Sequence, residues 1–164
     1  MDSLRNFLFA LLAATAMLAC SSIDCPVLNT VATYYSISKF NGQEVVADTL
    51  NDTLYVWIRQ SDGNDTLLLN RQVGRSSFQL PISYQHPEDM FVFLVADTAH
   101  VWKVDTVWVK KDDYPHFESV DCPARFFHKL TGVRSTHTAI DTIVINEPSV
   151  TFDPTVTNFR IFFK

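Results

Sequence analysis

Glycine is scarce in this sequence: there are four in 164 residues, and no two lie close enough to form a phosphate-cradling loop. Nucleotide-binding loops are thereby excluded. Basic residues are also in deficit. Thirteen Lys and Arg against 18 Asp and Glu give a net charge of -5, a field that repels phosphate and excludes nucleic acid as a partner. The five histidines (His86, His100, His116, His128 and His137) lack short zinc-type spacing, and there is no Gly-x-Ser-x-Gly elbow for a serine nucleophile. Asp62-Gly63-Asn64-Asp65 lacks the spaced ligands and terminal glutamate of a calcium loop and reads as a hairpin turn. No catalytic residue, metal site or cofactor is assigned. An acid pair of the glycosidase kind is defined by separation in space, so a glycan-active hydrolase stands as one alternative.

Long apolar runs are absent too. The longest, Phe7 to Leu18, is too short to span about 30 Å of hydrocarbon, but it suits the core of a signal peptide behind Arg5. It leads into Met17-Leu18-Ala19-Cys20, which resembles the lipobox of bacterial lipoproteins, with Met17 where leucine is usual. The resemblance implies cleavage before Cys20 and acylation of that cysteine. Residues 1–19 then form the signal peptide, 20–24 a lipidated tether, and 25–164 one domain. Several acyl chains anchor stably, which a single chain does not.

Only three cysteines are present: Cys20, Cys25 and Cys122. With Cys20 given to lipid, the other two form an even pair in an oxidising compartment, where a disulfide persists; two free thiols are the alternative. A Cys25–Cys122 bridge closes a loop of about 100 residues, worth roughly 4–5 kcal/mol in the chain-entropy model. Ser21-Ser22-Ile23-Asp24 is then the whole tether, and five peptide steps reach at most about 17 Å. The domain is expected to sit against its membrane.

What the mature chain does have is period two almost throughout. Val31, Thr33, Tyr35 and Ile37 alternate with their neighbours up to a turn at Asn41-Gly42, and Leu54, Val56 and Ile58 alternate with Tyr55, Trp57 and Arg59. Further strands are predicted around Leu67–Leu69, Phe78–Ile82, Met90–Ala96, Val101–Lys110, Arg125–Leu130, Ile140–Ile145, Val150–Phe152 and Asn158–Phe163, with Pro81 marking an edge or an end. The expectation is an all-β domain: an antiparallel two-sheet sandwich, immunoglobulin-like or related, of about nine or ten strands.

Two patterns suggest sites. Asp-Thr followed by an aliphatic or small residue places candidate O-glycan acceptors at Thr49, Thr53, Thr66, Thr98, Thr106 and Thr142, since the tripeptide resembles the acceptor sequence of Bacteroides-type bacteria. The plainer account is local: the aspartate accepts backbone amides at a turn and threonine opens the next strand. Tyr55 with Trp57, and Trp102 with Trp108, form a candidate aromatic binding face, although bulk of this kind is expected first in the sandwich core.

The chain resembles small uncharacterised lipoproteins of Bacteroides-like bacteria that share a domain of unknown function. The resemblance is carried by Cys25, Asp105-Thr106-Val107, Phe117 to Cys122, Ala139 to Asn146 and Asn158 to Phe163. It implies lipidation, the cysteine pair and the β-fold, and no activity. The expected function is a non-enzymatic binding or accessory module, anchored by lipid to the outer membrane, with the periplasmic face favoured over the cell surface. Its expected partners are the membrane and other envelope proteins. The other alternative is an adhesin or assembly subunit whose last strand, Phe159 to Phe163, adds to a neighbour's sheet edge.

Overall fold

The computed structural model describes residues 31–60, 63–99, 101–117, 119, 122 and 124–164. Cys20, Cys25, the signal peptide and the tether lie outside the described residues. Among those described there are eleven strands and no helix: β1 (Ala32–Asn41), β2 (Glu44–Ala47), β3 (Thr53–Arg59), β4 (Thr66–Gln72), β5 (Ser77–Pro81), β6 (Glu88–Ala96), β7 (Trp102–His116), β8 (Arg125–Ser135), β9 (Ile140–Ile145), β10 (Ser149–Val150) and β11 (Phe159–Phe163).

They form two sheets. One runs β10-β8-β7-β6-β3-β4, antiparallel throughout; the other runs β2-β1-β11-β9, with β5 also on β1. Ile37 shows how β1 serves two partners on one edge: its N–H donates to the Ser76 carbonyl and its carbonyl accepts from the Asp48 N–H. Since N–H and C=O of one strand residue point to the same edge, β5 and then β2 occupy that edge in turn, and β11 takes the other.

Two expectations are corrected here. The sheets are not wholly antiparallel, because β1 pairs with β11 in parallel, Tyr35 opposite Phe159 and Ile37 opposite Ile161. The chain's first described strand and its last thus lie side by side, which consecutive hairpins cannot produce. For the same reason β11 is no donor edge. It is hydrogen-bonded to β1 on one side and to β9 on the other, so the last strand has no free edge to offer a neighbour.

The sheets face each other across one core, with Tyr35, Ile37, Leu80, Ile140, Phe159 and Ile161 on one side and Leu54, Val56, Phe91, Phe93, Val107 and Val109 on the other. Period two places these residues inward, and a bulge repairs the phase where it fails. In β8, Leu130 and Val133 both pack on the core although they are an odd number of residues apart. The register passes from Lys110 opposite Gly132 to Lys111 opposite Leu130, leaving Thr131 as the extra residue that switches the face.

Asn158 ties the seam. It is buried; its Oδ1 accepts the Tyr34 N–H at 3.0 Å, and its Nδ2 donates to the carbonyls of Glu147 (3.1 Å) and Ser149 (2.9 Å). One side chain thereby joins β1, β11 and the β9–β10 turn.

Candidate functional site

The inward row of β7 reads Asp105, Val107, Val109, Lys111, Asp113, so charge enters the interior at both ends of an otherwise apolar strand. At one end, Asp105 is fully buried and its carboxylate accepts the N–H groups of Thr138 (2.6 Å), Ala139 (2.6 Å) and Ile140 (2.8 Å) and the Thr136 hydroxyl (2.6 Å). Burial pushes this carboxyl up, but these four donors outweigh it and hold its pKa below the ordinary carboxylate value. Asp105 therefore fastens the segment leading into β9, in one sheet, to β7, in the other. The local account of the Asp-Thr pattern fits Asp97, which accepts the Val101 N–H four residues on, but not Asp105, whose partners lie 31 to 35 residues away.

The other end holds a buried cluster. Lys111 is 1% exposed, and its ammonium lies 3.3 Å from Asp89 Oδ2 and 3.9 Å from Asp113 Oδ1 while also donating to the His86 carbonyl. Asp113 Oδ1 in turn sits 2.6 Å from Nδ1 of His128, which is 2% exposed. Asp113 and His128 are direct cross-strand partners in the β7–β8 register. Asp89 also accepts the Ser83 N–H at 3.0 Å. Burial pushes the Asp89 carboxyl above the ordinary range, and Lys111, the Ser83 amide and His128 pull it back without cancelling the rise. Here two carboxylates converge on one buried ammonium. Among the described residues, no group of three or more His, Cys, Asp and Glu is arranged to hold a metal.

Nearby, Tyr35 stacks between Phe78 and Phe159, with both centroid distances 4.8 Å. Its hydroxyl is the buried side-chain polar atom left without a hydrogen bond among the described residues, the neighbouring Thr33 hydroxyl donating instead to the Leu80 carbonyl. Burial pushes the Tyr35 pKa strongly up.

Two cavities flank this polar end and share Tyr84 and Ile82. One, of about 430 Å³, is walled by Ile58, Tyr84, His86 and Asp89; the other, of about 390 Å³, by Val31, Ile82, Tyr84, Phe126 and His128. Sequence reasoning missed this site. Its four ionisable residues, Asp89, Lys111, Asp113 and His128, come from three strands, and His128 looked like one of several scattered histidines.

The aromatic face lies outside, not in the core, which corrects the first expectation for that bulk. Tyr55 and Trp57 project from β3 opposite the buried Leu54 and Val56, and Trp102 is 58% exposed. The three rings form a row of nearly parallel planes, Tyr55–Trp57 at 5.8 Å and Tyr55–Trp102 at 6.3 Å, with interplanar angles of 12° and 13°. Val104, 48% exposed, extends this apolar surface. Trp108 lies on the same face farther along β7, covered by the Arg134 guanidinium 3.8 Å from its ring centroid. The core is filled instead by the opposite faces of these strands.

Of the six acceptor threonines, Thr49, Thr66 and Thr98 are exposed, and Thr53, Thr106 and Thr142 are half-buried at strand positions. Cys122 is disulfide-bonded, and both other cysteines of the chain lie outside the described residues. His86 and His137 are exposed, and His116 stacks on Phe127 at 4.2 Å.

Residues 53–163 match the profile of a family described as a family of unknown function, DUF6452, a span that runs from the start of β3 to the end of β11. No curated protein and no solved structure matches the chain.

Proposed function

We propose that this chain, which belongs to the family of unknown function DUF6452, is a lipid-anchored, non-enzymatic binding module of the bacterial cell envelope. We read its two sheets as a sandwich whose ligand face is the outer row Tyr55, Trp57 and Trp102. The observation that carries the reading is that row: three nearly parallel rings held together on the outer face of a sheet, with Tyr55 and Trp57 half-buried and Trp102 exposed at its end. Large apolar rings at an exposed surface mark binding sites, and sugar rings and planar peptide groups are their usual partners.

The anchor reading supports the orientation. Met17-Leu18-Ala19-Cys20 supplies the lipid attachment, and Cys25 is our proposed partner for the disulfide of Cys122. Val31 walls the same cavity as His128, and we read the tether as entering the fold on that side. Trp102 lies nine residues from Lys111 along β7, roughly 30 Å at 3.3 Å per residue. On that reading the Trp102 end of the row lies well away from the anchor. Exposed Thr49, Thr66 and Thr98 are the acceptor positions we propose for O-glycans, since a bulky sugar requires an open site.

Affinity electrophoresis of the mature chain against soluble polysaccharides and peptidoglycan fragments tests this function. At least one probe is expected to retard the protein. The Trp57→Ala/Trp102→Ala double variant is expected to weaken that binding by about tenfold or more, in keeping with the loss of two aromatic anchors, while melting close to the parent. A chain that no probe retards, or a double variant that binds like the parent, would contradict it.

A further inference from the structure

The geometry points to a second, separate ligand site in the 390 Å³ cavity beside His128, taking a neutral aromatic ring that carries a hydroxyl group. The polar anchor is His128. It is 98% buried yet lines the cavity, and Asp113 occupies Nδ1 at 2.6 Å. Nε2 makes no hydrogen bond among the described residues and is not one of their fully buried unpaired atoms, so it is the ring nitrogen that keeps access to a ligand. A carboxylate accepts, so Nδ1 carries the proton in the neutral ring, and Nε2 presents a lone pair that needs a donor.

The walls choose the rest of the ligand. Val31 and Ile82 are apolar, and Tyr84 stacks on Phe126 with centroids 5.0 Å apart and planes 8° from parallel, giving flat surface beside the histidine. The volume falls within the range of small-molecule sites, about 300–1,000 Å³. Charge disfavours ions of either sign: Asp113 stands directly behind the imidazole and opposes an anion at Nε2, and Arg125, the lining residue that carries positive charge, opposes a cation. What remains is a phenol-like ring donating its O–H to His128. This site shares no residue with the outer aromatic row, so either can fail alone.

The test is a titration of the full mature protein with 4-nitrophenol below its own pKa, followed by the probe's absorbance and by calorimetry, with 4-nitroanisole as a matched ring lacking the donor. Saturable binding of the phenol is expected, with the anisole about tenfold or more weaker, the loss of one hydrogen bond. His128→Phe is expected to bring the phenol down to the anisole's affinity, and Asp113→Asn to weaken the phenol selectively by freeing the tautomer. Trp102→Ala is expected to leave both unchanged. The comparison of two ligands on the unmutated protein stands even if His128→Phe fails to fold. No saturable binding, equal binding of phenol and anisole, or a His128→Phe protein that binds the phenol normally would overturn the proposal.

Discussion

Replacing Lys111 with methionine is expected to lower the unfolding free energy by about 3–5 kcal/mol, the usual cost of removing one partner from a buried ion pair. The reason lies in what stays behind. Asp89 and Asp113 would keep their places in the interior, at 3.3 and 3.9 Å from a charge that is no longer there. Methionine fills most of the volume, so the loss reads electrostatics rather than a cavity. Urea denaturation at neutral pH measures it. The difference from the parent should shrink as pH falls, because the folded-state pKa of Asp89 is already raised and rises further without the ammonium. A group with a raised folded pKa favours the fold when protonated and loses that contribution as pH climbs through the folded value. Pairing Lys111→Met with Asp89→Asn should recover part of the loss. A single variant within about 1 kcal/mol of the parent would mean that water reaches the cluster and screens it.

Asp105→Ala is the second large effect, expected at about 3 kcal/mol or more. Three backbone N–H groups and the Thr136 hydroxyl lose their acceptor together, and each buried donor left unpaired costs about 1–3 kcal/mol. The loss is smaller than the sum because water can enter the turn once the carboxylate has gone. Asp105→Asn should fall between, keeping one acceptor oxygen and adding donors that have no partner. The pH dependence has the opposite sign to that of Asp89. Because the folded pKa of Asp105 is depressed, its contribution is complete above the unfolded value near 3.9 and disappears as pH falls through the folded value. The parent should therefore lose stability below about pH 4 more steeply than Asp105→Asn does. Equal acid slopes would show that Asp105 is not the group titrating.

These two ends of β7 show where the sequence could be read and where it could not. Period two located most strands, because Leu54 and Val56, or Val107 and Val109, alternate cleanly with their neighbours. It stopped β7 at Lys110, whereas the strand continues to His116. The reason is that Lys111 and Asp113 hold inward positions, and a charged inward residue looks like the end of a strand unless its partners are known. Those partners are set by register, Asp113 opposite His128 and Asp89 one strand away, and register is not written in either strand alone. The aromatic face was misjudged for a related reason. Both faces of β3 are rich in apolar bulk, so alternation separates Tyr55 and Trp57 from Val56 without saying which set is inside. The stretches that carried the family resemblance prove to be fastenings: Asp105 binds the amides of Ala139 and Ile140, and Asn158 closes the seam between β1 and β11.

The anchored orientation of the domain depends on how three cysteines are divided between lipid and disulfide. Mass spectrometry of the protein isolated from its native membrane, digested without reduction, addresses that division directly. The mature chain is expected to begin at an acylated Cys20, and the digest to contain a linked peptide pair holding Cys25 and Cys122. A first residue other than Cys20, an unmodified Cys20, or a bond from Cys122 to Cys20 would contradict it.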